Sequence, residues 1–247
     1  MTLSIIDEDN HVLVVNKPAG IATMGAAPGT PTIHSMVQDY WRKKYDKPGN
    51  VFVGVVSRLD TMTSGVLVLA RTSKAAARLQ KQFAATDAES TDKIYLAIVQ
   101  GEFGADAGQL VDWVAKDDAA RRMRVVAADH ADAKEATCDY LRLASSESET
   151  LLAVRLRTGR KHQIRVQLAD RGHAVLGDRK YKAAMRFADG IALHSWRLRL
   201  RHPTLKDHRW YTCPPPISWK KRLQALGVGS INDQWAIVQE HFQLADD

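Results

Sequence analysis

The sequence has no run of about 18 apolar residues, the length a membrane-spanning helix requires, so no membrane span is expected. Its two cysteines, Cys138 and Cys213, lie far apart and outside any CxxC spacing, which excludes a disulfide framework and reads as packed, unpaired thiols. Neither a phosphate-binding glycine loop nor a dinucleotide fingerprint occurs, so chemistry driven by a nucleotide or a redox cofactor is not expected. The nine histidines show no HExxH spacing, and no Cys/His or Asp/Glu pairs of the usual ligand kind are clustered, so no metal is expected. The opening MTLSIIDEDN lacks the basic-then-apolar pattern of a secretion signal, so the expected location is the cytoplasm. Repeats and low-complexity segments are also missing.

What is present begins with charge. The 247 residues carry a net +7, and the distribution is uneven. Residues 151–222 hold eighteen Lys and Arg against four Asp and Glu, a net +14, and the remainder of the chain is −7. Such a block suits a polyanion, because each phosphate neutralised by Lys or Arg releases condensed counterions. Charge alone fits equally a set of solvated strand faces on which basic and apolar residues alternate.

The chain opens as strand, turn, strand: SIID, then EDN, then HVLVVNKPAG, broken by Pro18 and Gly20. Apolar residues at Ile33, Met36, Val37, Tyr40 and Trp41 predict an amphipathic helix between Thr32 and Tyr45, with that stripe in the core. VFVGVV and VLVLAR read as strands bracketing the polar loop SRLDTMTSG. Ser73 reads as the N-cap of a helix through SKAAARLQKQFAAT, followed by the strand KIYLAIVQG. Residues 101–135 look irregular and charged. ATCDYLRLA and TLLAVRLRT alternate as half-buried strands, and HQIRVQLADRG reads as a helix stopped at Gly172. IALHSWRLRLRHP alternates again, with Trp196, Leu198 and Leu200 on one face and arginines on the other. A helix over ISWKKRLQALG ends at Gly227, and the last twenty residues form an acidic amphipathic tail.

Strands outnumber helices and lie close in sequence, so the expected class is α+β, with a largely antiparallel mixed β-sheet flanked by helices and loops. The expected organisation is a catalytic domain over residues 1–222 and an acidic helical tail over 223–247, and the expected state is a monomer.

Five segments carry the chemistry: NKPAG at 16–20, SRLDTMTSG at 57–65, KIYLAIVQG at 93–101, LRTGRKHQIRVQLADRGHAVLGDRKY at 156–181 and ALHSWRLRLRHP at 192–203. In order and spacing they resemble the RluA family of RNA pseudouridine synthases, and the resemblance runs from about Ile5 to about Pro216. It implies the family's pseudouridine synthase-like catalytic domain, standing alone without the small N-terminal RNA-binding domain of some members. It also implies structured RNA, ribosomal or transfer, as substrate, no cofactor, and isomerisation of particular uridines.

The same resemblance assigns roles to single residues. Asp60, which by itself would read as a turn aspartate, falls where the family carries its catalytic carboxylate. Because departing uracil delocalises its charge over two carbonyls and a ring nitrogen, one carboxylate suffices where glycosidases use two. Asp60 would either attack the anomeric carbon or remove the proton beside the ribose 2-hydroxyl, and the sequence leaves both routes open. Arg165 matches the basic partner of that aspartate, whose charge would keep the carboxylate ionised; otherwise it is a phosphate contact or an exposed charge. Tyr95 matches the tyrosine that stacks on the target base and takes the carbon 5 proton. Leu193 resembles the apolar pocket floor, and Arg58 the arginine that holds the flipped base out of its stack. Lys17 and Pro18 read as a structural turn behind the active-site loop. Thr158, Gly159 and Arg160, with Lys161 and His162, precede a helix and either bind phosphate or form an ordinary capping turn.

Ser57, Thr61, Met62, Gln167 and Lys182 depart from the residues common in the family. None coincides with Asp60, Tyr95 or Arg165, so the departures bear on target choice.

Overall fold

The computed structural model describes residues 2–46, 48–85 and 91–246. In chain order the elements are β1 (Ser4–Glu8), β2 (Val12–Lys17), α1 (Ile33–Lys44), β3 (Gly54–Val55), β4 (Ser64–Ala70), α2 (Ser73–Ala84), β5 (Asp92–Gln100), β6 (Ala107–Asp117), β7 (Arg122–Val126) and β8 (Lys134–Ser145). They continue with β9 (Glu149–Leu156), α3 (Gln163–Asp170), β10 (Leu193–Arg201), β11 (His208–Thr212), α4 (Lys220–Ala225) and α5 (Trp235–His241). The α+β class with a mostly antiparallel sheet is the one expected. The chain forms two compact units: Met1–Asp92 with Ser195–Cys213, and Lys93–His194 with Pro214–Asp247. The stretch expected as one domain to residue 222 thus contains two units, and the expected tail belongs with the second.

In the first unit the strand order is β1-β2-β4-β10, with β11 pairing β10 and β3 pairing β4. Val12 to Val15 and Val66 to Ala70 are buried without alternation, which marks strands covered on both faces. One face packs Val12, Val14, Val66 and Val68 against Ala75, Ala76 and Leu79 of α2. Helix α1 starts at a capping box between Thr32 and Ser35 and buries Ile33, Val37 and Trp41; Met36 and Tyr40 from its expected stripe are only half-buried. Helix α2 is capped one residue earlier than expected, by Thr72, whose Oγ1 accepts the Ala75 N–H; its expected end at Thr86 lies outside the described residues. Of VFVGVV only Gly54 and Val55 pair in the sheet, because Val51 and Val53 serve as core without ladder partners.

The second unit's sheet has the order β5-β9-β8-β6-β7, all antiparallel. Residues 101–135, expected to be irregular, contain β6 and β7. Few side chains of that hairpin point inward, so no alternation marks it; Val114 and Met123 form its buried side against Val166 of α3 and Tyr181. Both cysteines are buried and neither forms a disulfide, and burial pushes each thiol up to about 12.

Candidate active site

The loop carrying Asp60 connects β3 to β4 and is pinned on both sides of that residue. The Thr23 hydroxyl, itself buried, donates to the Leu59 carbonyl at 3.0 Å and accepts the Leu59 N–H at 3.2 Å. On the other side, the Thr61 carbonyl accepts the Gly20 N–H at 2.8 Å and the Lys17 ammonium at 3.1 Å. The Asp60 carbonyl closes a turn by accepting the Thr63 N–H at 3.0 Å. Asp60 is therefore a half-buried residue between two neighbours whose backbone is held by hydrogen bonds.

Lys17, the last residue of β2, does more than the structural turn expected of it. Its side chain is fully buried, and its three N–H bonds go to the carbonyls of Pro18 at 2.9 Å, Ile21 at 2.7 Å and Thr61 at 3.1 Å. Burial pushes its ammonium down to about 8, and the negative charge of Asp60 works in the opposite direction. The first unit thus supplies its own cation beside Asp60. Nothing in the sequence pattern signalled that a lysine ending an apolar strand would be buried.

The loop ends at Gly65, where φ is +115° and an added Cβ would lie 2.2 Å from the Ser195 carbonyl oxygen. Only glycine permits β4 to approach the β10 backbone so closely. Arg58 is exposed on the same loop.

The family model for RNA pseudouridylate synthases matches residues 11–170, which include the Asp60 loop, β5 and all of α3. The chain belongs to this family. It is 33% identical over 210 residues to the dual-specificity RNA pseudouridine synthase RluA of Vibrio vulnificus, covering 83% of this chain and 79% of that protein. It is 32% identical over 240 residues to ribosomal large subunit pseudouridine synthase D of Xanthomonas campestris, covering 91% and 69%. The solved human RNA pseudouridylate synthase domain containing 4 superposes with a TM-score of 0.74 at 24% identity, over 91% of this chain and 93% of that one, a likeness of fold. As a pseudouridylate synthase the chain is an isomerase acting on RNA.

The remaining residues that the family pattern selects lie in the second unit. Tyr95 is half-buried on β5, opposite Val154 of β9. Leu193 is buried at the start of β10. Arg165, buried on α3, forms a fork with Asp178, Nε to Oδ2 at 2.6 Å and Nη2 to Oδ1 at 2.9 Å, and its guanidinium lies 5.2 Å from the Tyr181 ring centre. The sequence reading missed Asp178 and Tyr181 as functional neighbours; both stand in GDRKY, but spacing alone did not show that this turn meets α3.

The turn before α3 is held by the Gln163 side chain, and no side chain caps the helix at His162. The Gln163 side-chain oxygen accepts the Arg160 N–H at 2.9 Å and the Thr158 hydroxyl at 2.8 Å, so the Arg160 amide is already used. Arg160 and Lys161 remain exposed through their side chains, and His162, with φ +54°, places Nδ1 2.9 Å from the Tyr181 hydroxyl. Among the described residues no group of three His, Cys, Asp or Glu side chains is arranged to hold a metal ion.

Proposed function

We propose that this chain converts particular uridines of ribosomal or transfer RNA to pseudouridine, with Asp60 acting at the sugar of a nucleotide extruded from its stack. The reaction breaks the bond from ribose to the base nitrogen and forms one to ring carbon 5; carbon 5 loses a proton and the nitrogen gains one. Nothing else is consumed. The observation that carries the proposal is the double clamp on Leu59 and Thr61, which holds one carboxylate rigid beside a buried ammonium. A carboxylate held in place with a cation nearby is suited to attack on the anomeric carbon or to removal of the neighbouring proton.

The other roles rest on the family pattern. Tyr95 stacks on the extruded uracil and receives the carbon 5 proton, Leu193 supplies an apolar floor, and Arg58 keeps the base from restacking. Arg165 supplies positive charge on a side chain whose plane Asp178 fixes. Arg160, Lys161 and His162 bind the RNA backbone. Ribosomal RNA is favoured among substrates because a relative covered over most of its length acts on the large ribosomal subunit, by its name.

The test is pseudouridine mapping of RNA from a strain lacking this protein, after incubation with purified wild type or Asp60→Asn. Sites should be restored by wild type alone, with the variant slower by about 10⁴-fold or more. Equal restoration by both would remove Asp60 from the mechanism. RNA bound but unmodified by either protein would leave a silent binder of the same fold.

A further inference from the structure

The basic block visible in the sequence begins near residue 151, yet the structure joins to it a segment from outside. Met123 and Val125 of β7 pack with Val166 and Ala169 of α3 around Tyr181. The Tyr181 hydroxyl accepts the Met123 N–H at 3.0 Å and meets His162 Nδ1 at 2.9 Å, while Lys180 Nζ donates to the Arg121 carbonyl at 2.9 Å. The inward turn of Met123 directs Arg122 and Arg124 to the opposite side of the strand. Three separate stretches, 121–124, 160–161 and 179–180, are thereby locked together, and Arg121, Arg124, Arg160, Lys161, Arg179 and Lys180 are all exposed.

These cations differ from others in the same unit in how they are held. Arg142, Arg157, Arg171 and Arg222 each pair with a carboxylate: Asp106, Asp139, Asp112 and Glu149 in turn. Among the described residues no carboxylate pairs with any of the six. Lys180 and Arg160 are tied to backbone carbonyls, those of Arg121 and Glu135, and Arg124 to the ring of His130 at 3.1 Å. Three acids of the neighbouring stretches are engaged elsewhere: Asp118 with Lys116, Asp117 with the Ala120 N–H and Glu135 with the Thr137 hydroxyl. Lys180, Arg160 and Arg124, one on each stretch, are thus oriented with no carboxylate paired to them, which suits an anionic polymer. Charges on an edge strand also prevent sheet-to-sheet pairing. That accounts for Arg122 and Arg124 of β7, but not for Arg160, Arg179 or Lys180, which lie on no strand.

We propose that this face, made by β7, the turn before α3 and the Arg179–Lys180 turn, is a docking surface for the sugar–phosphate backbone of the substrate RNA. It rests on the reading of the chain as an RNA-modifying enzyme. Rigid cations on three stretches would follow the shape of a folded RNA and not its base sequence.

The test uses the full chain carrying Arg124→Gln, Arg179→Gln and Lys180→Gln, all at exposed positions, with circular dichroism to check folding; Arg124→Gln with Arg179→Gln serves if the triple variant is unstable. Binding of a fluorescein-labelled rRNA stem–loop is followed across a potassium chloride series, and turnover is measured on transcribed rRNA. Each phosphate contact contributes roughly 0.7–0.9 to the slope of log affinity against log salt, so the triple variant should lose about 2. Its KM should rise about tenfold, with kcat at saturating RNA within about twofold of wild type. An unchanged slope and KM would overturn the surface, as would weakened binding to phosphatidylserine vesicles with RNA binding intact. Asp60→Asn should keep the wild-type slope. If wild type makes no pseudouridine while the triple variant still loses slope, the reaction assignment fails and the surface stands; pseudouridine made with an unchanged slope means the reverse.

Discussion

Two buried cations in this molecule are satisfied in opposite ways. Lys17 gives its three N–H bonds to backbone carbonyls, whereas Arg165 is gripped by the carboxylate of Asp178. Carbonyls orient an ammonium without cancelling its charge, so Lys17 bears the cost of burial in its acidity and its field is felt at Asp60. A guanidinium held bidentately has its plane fixed and cannot lose its proton at any ordinary pH. One site is titratable and electrostatic; the other is geometric and indifferent to pH.

The largest effect that tests this contrast is Asp178→Ala. Leaving the buried Arg165 without its carboxylate should cost about 3–5 kcal/mol of stability, read from urea unfolding midpoints. A loss under about 1 kcal/mol would mean the fork does not hold the α3 region.

The second is a pH dependence of stability set by Lys17. Its folded pKa is lowered from 10.5 to about 8, so between these values the folded chain releases a proton that the unfolded chain keeps. Because the unfolded state binds more protons, stability rises with pH across that window, by up to about 3 kcal/mol from this group. Urea titrations at pH 7 and near pH 10, in wild type and Lys17→Met, isolate the contribution: it should vanish in the variant, and an equal rise in both would assign it elsewhere.

A smaller effect appears in turnover. As Lys17 loses its charge above about pH 8, the rate of pseudouridine formation should fall by about tenfold, equivalent to roughly 1.4 kcal/mol of transition-state stabilisation. The alkaline limb should be missing in Lys17→Met, whose rate should be low throughout. Smallest is Arg165→Lys, which keeps the charge and loses the fork; about 1 kcal/mol of stability should go, with the alkaline limb of the rate still in place.

Much of the architecture was legible where burial has a period. Ile33, Val37 and Trp41 of the α1 stripe and the alternation of Trp196, Leu198 and Leu200 on β10 have direct counterparts in the core. Where burial has none, reading failed. The β6–β7 hairpin turns few side chains inward, so its strands looked like irregular chain, and VFVGVV looked like a full strand although only Gly54 and Val55 of it make ladder pairs. The Asp60 loop was recognisable from its motif, but not what immobilises it. Thr23 and Lys17 act through hydrogen bonds to carbonyls, and a carbonyl has no letter in a sequence. Asp178 escaped for a related reason: ion pairing across 13 residues depends on how a turn folds back.

Strand β10 lies beside β4, the strand that leaves the Asp60 loop, yet it is encoded more than a hundred residues later. During synthesis the Asp60 loop therefore emerges early and waits for its neighbouring strand. A nascent or truncated chain ending before Ser195 has no backbone for Gly65 to press against, so the loop stays unfinished.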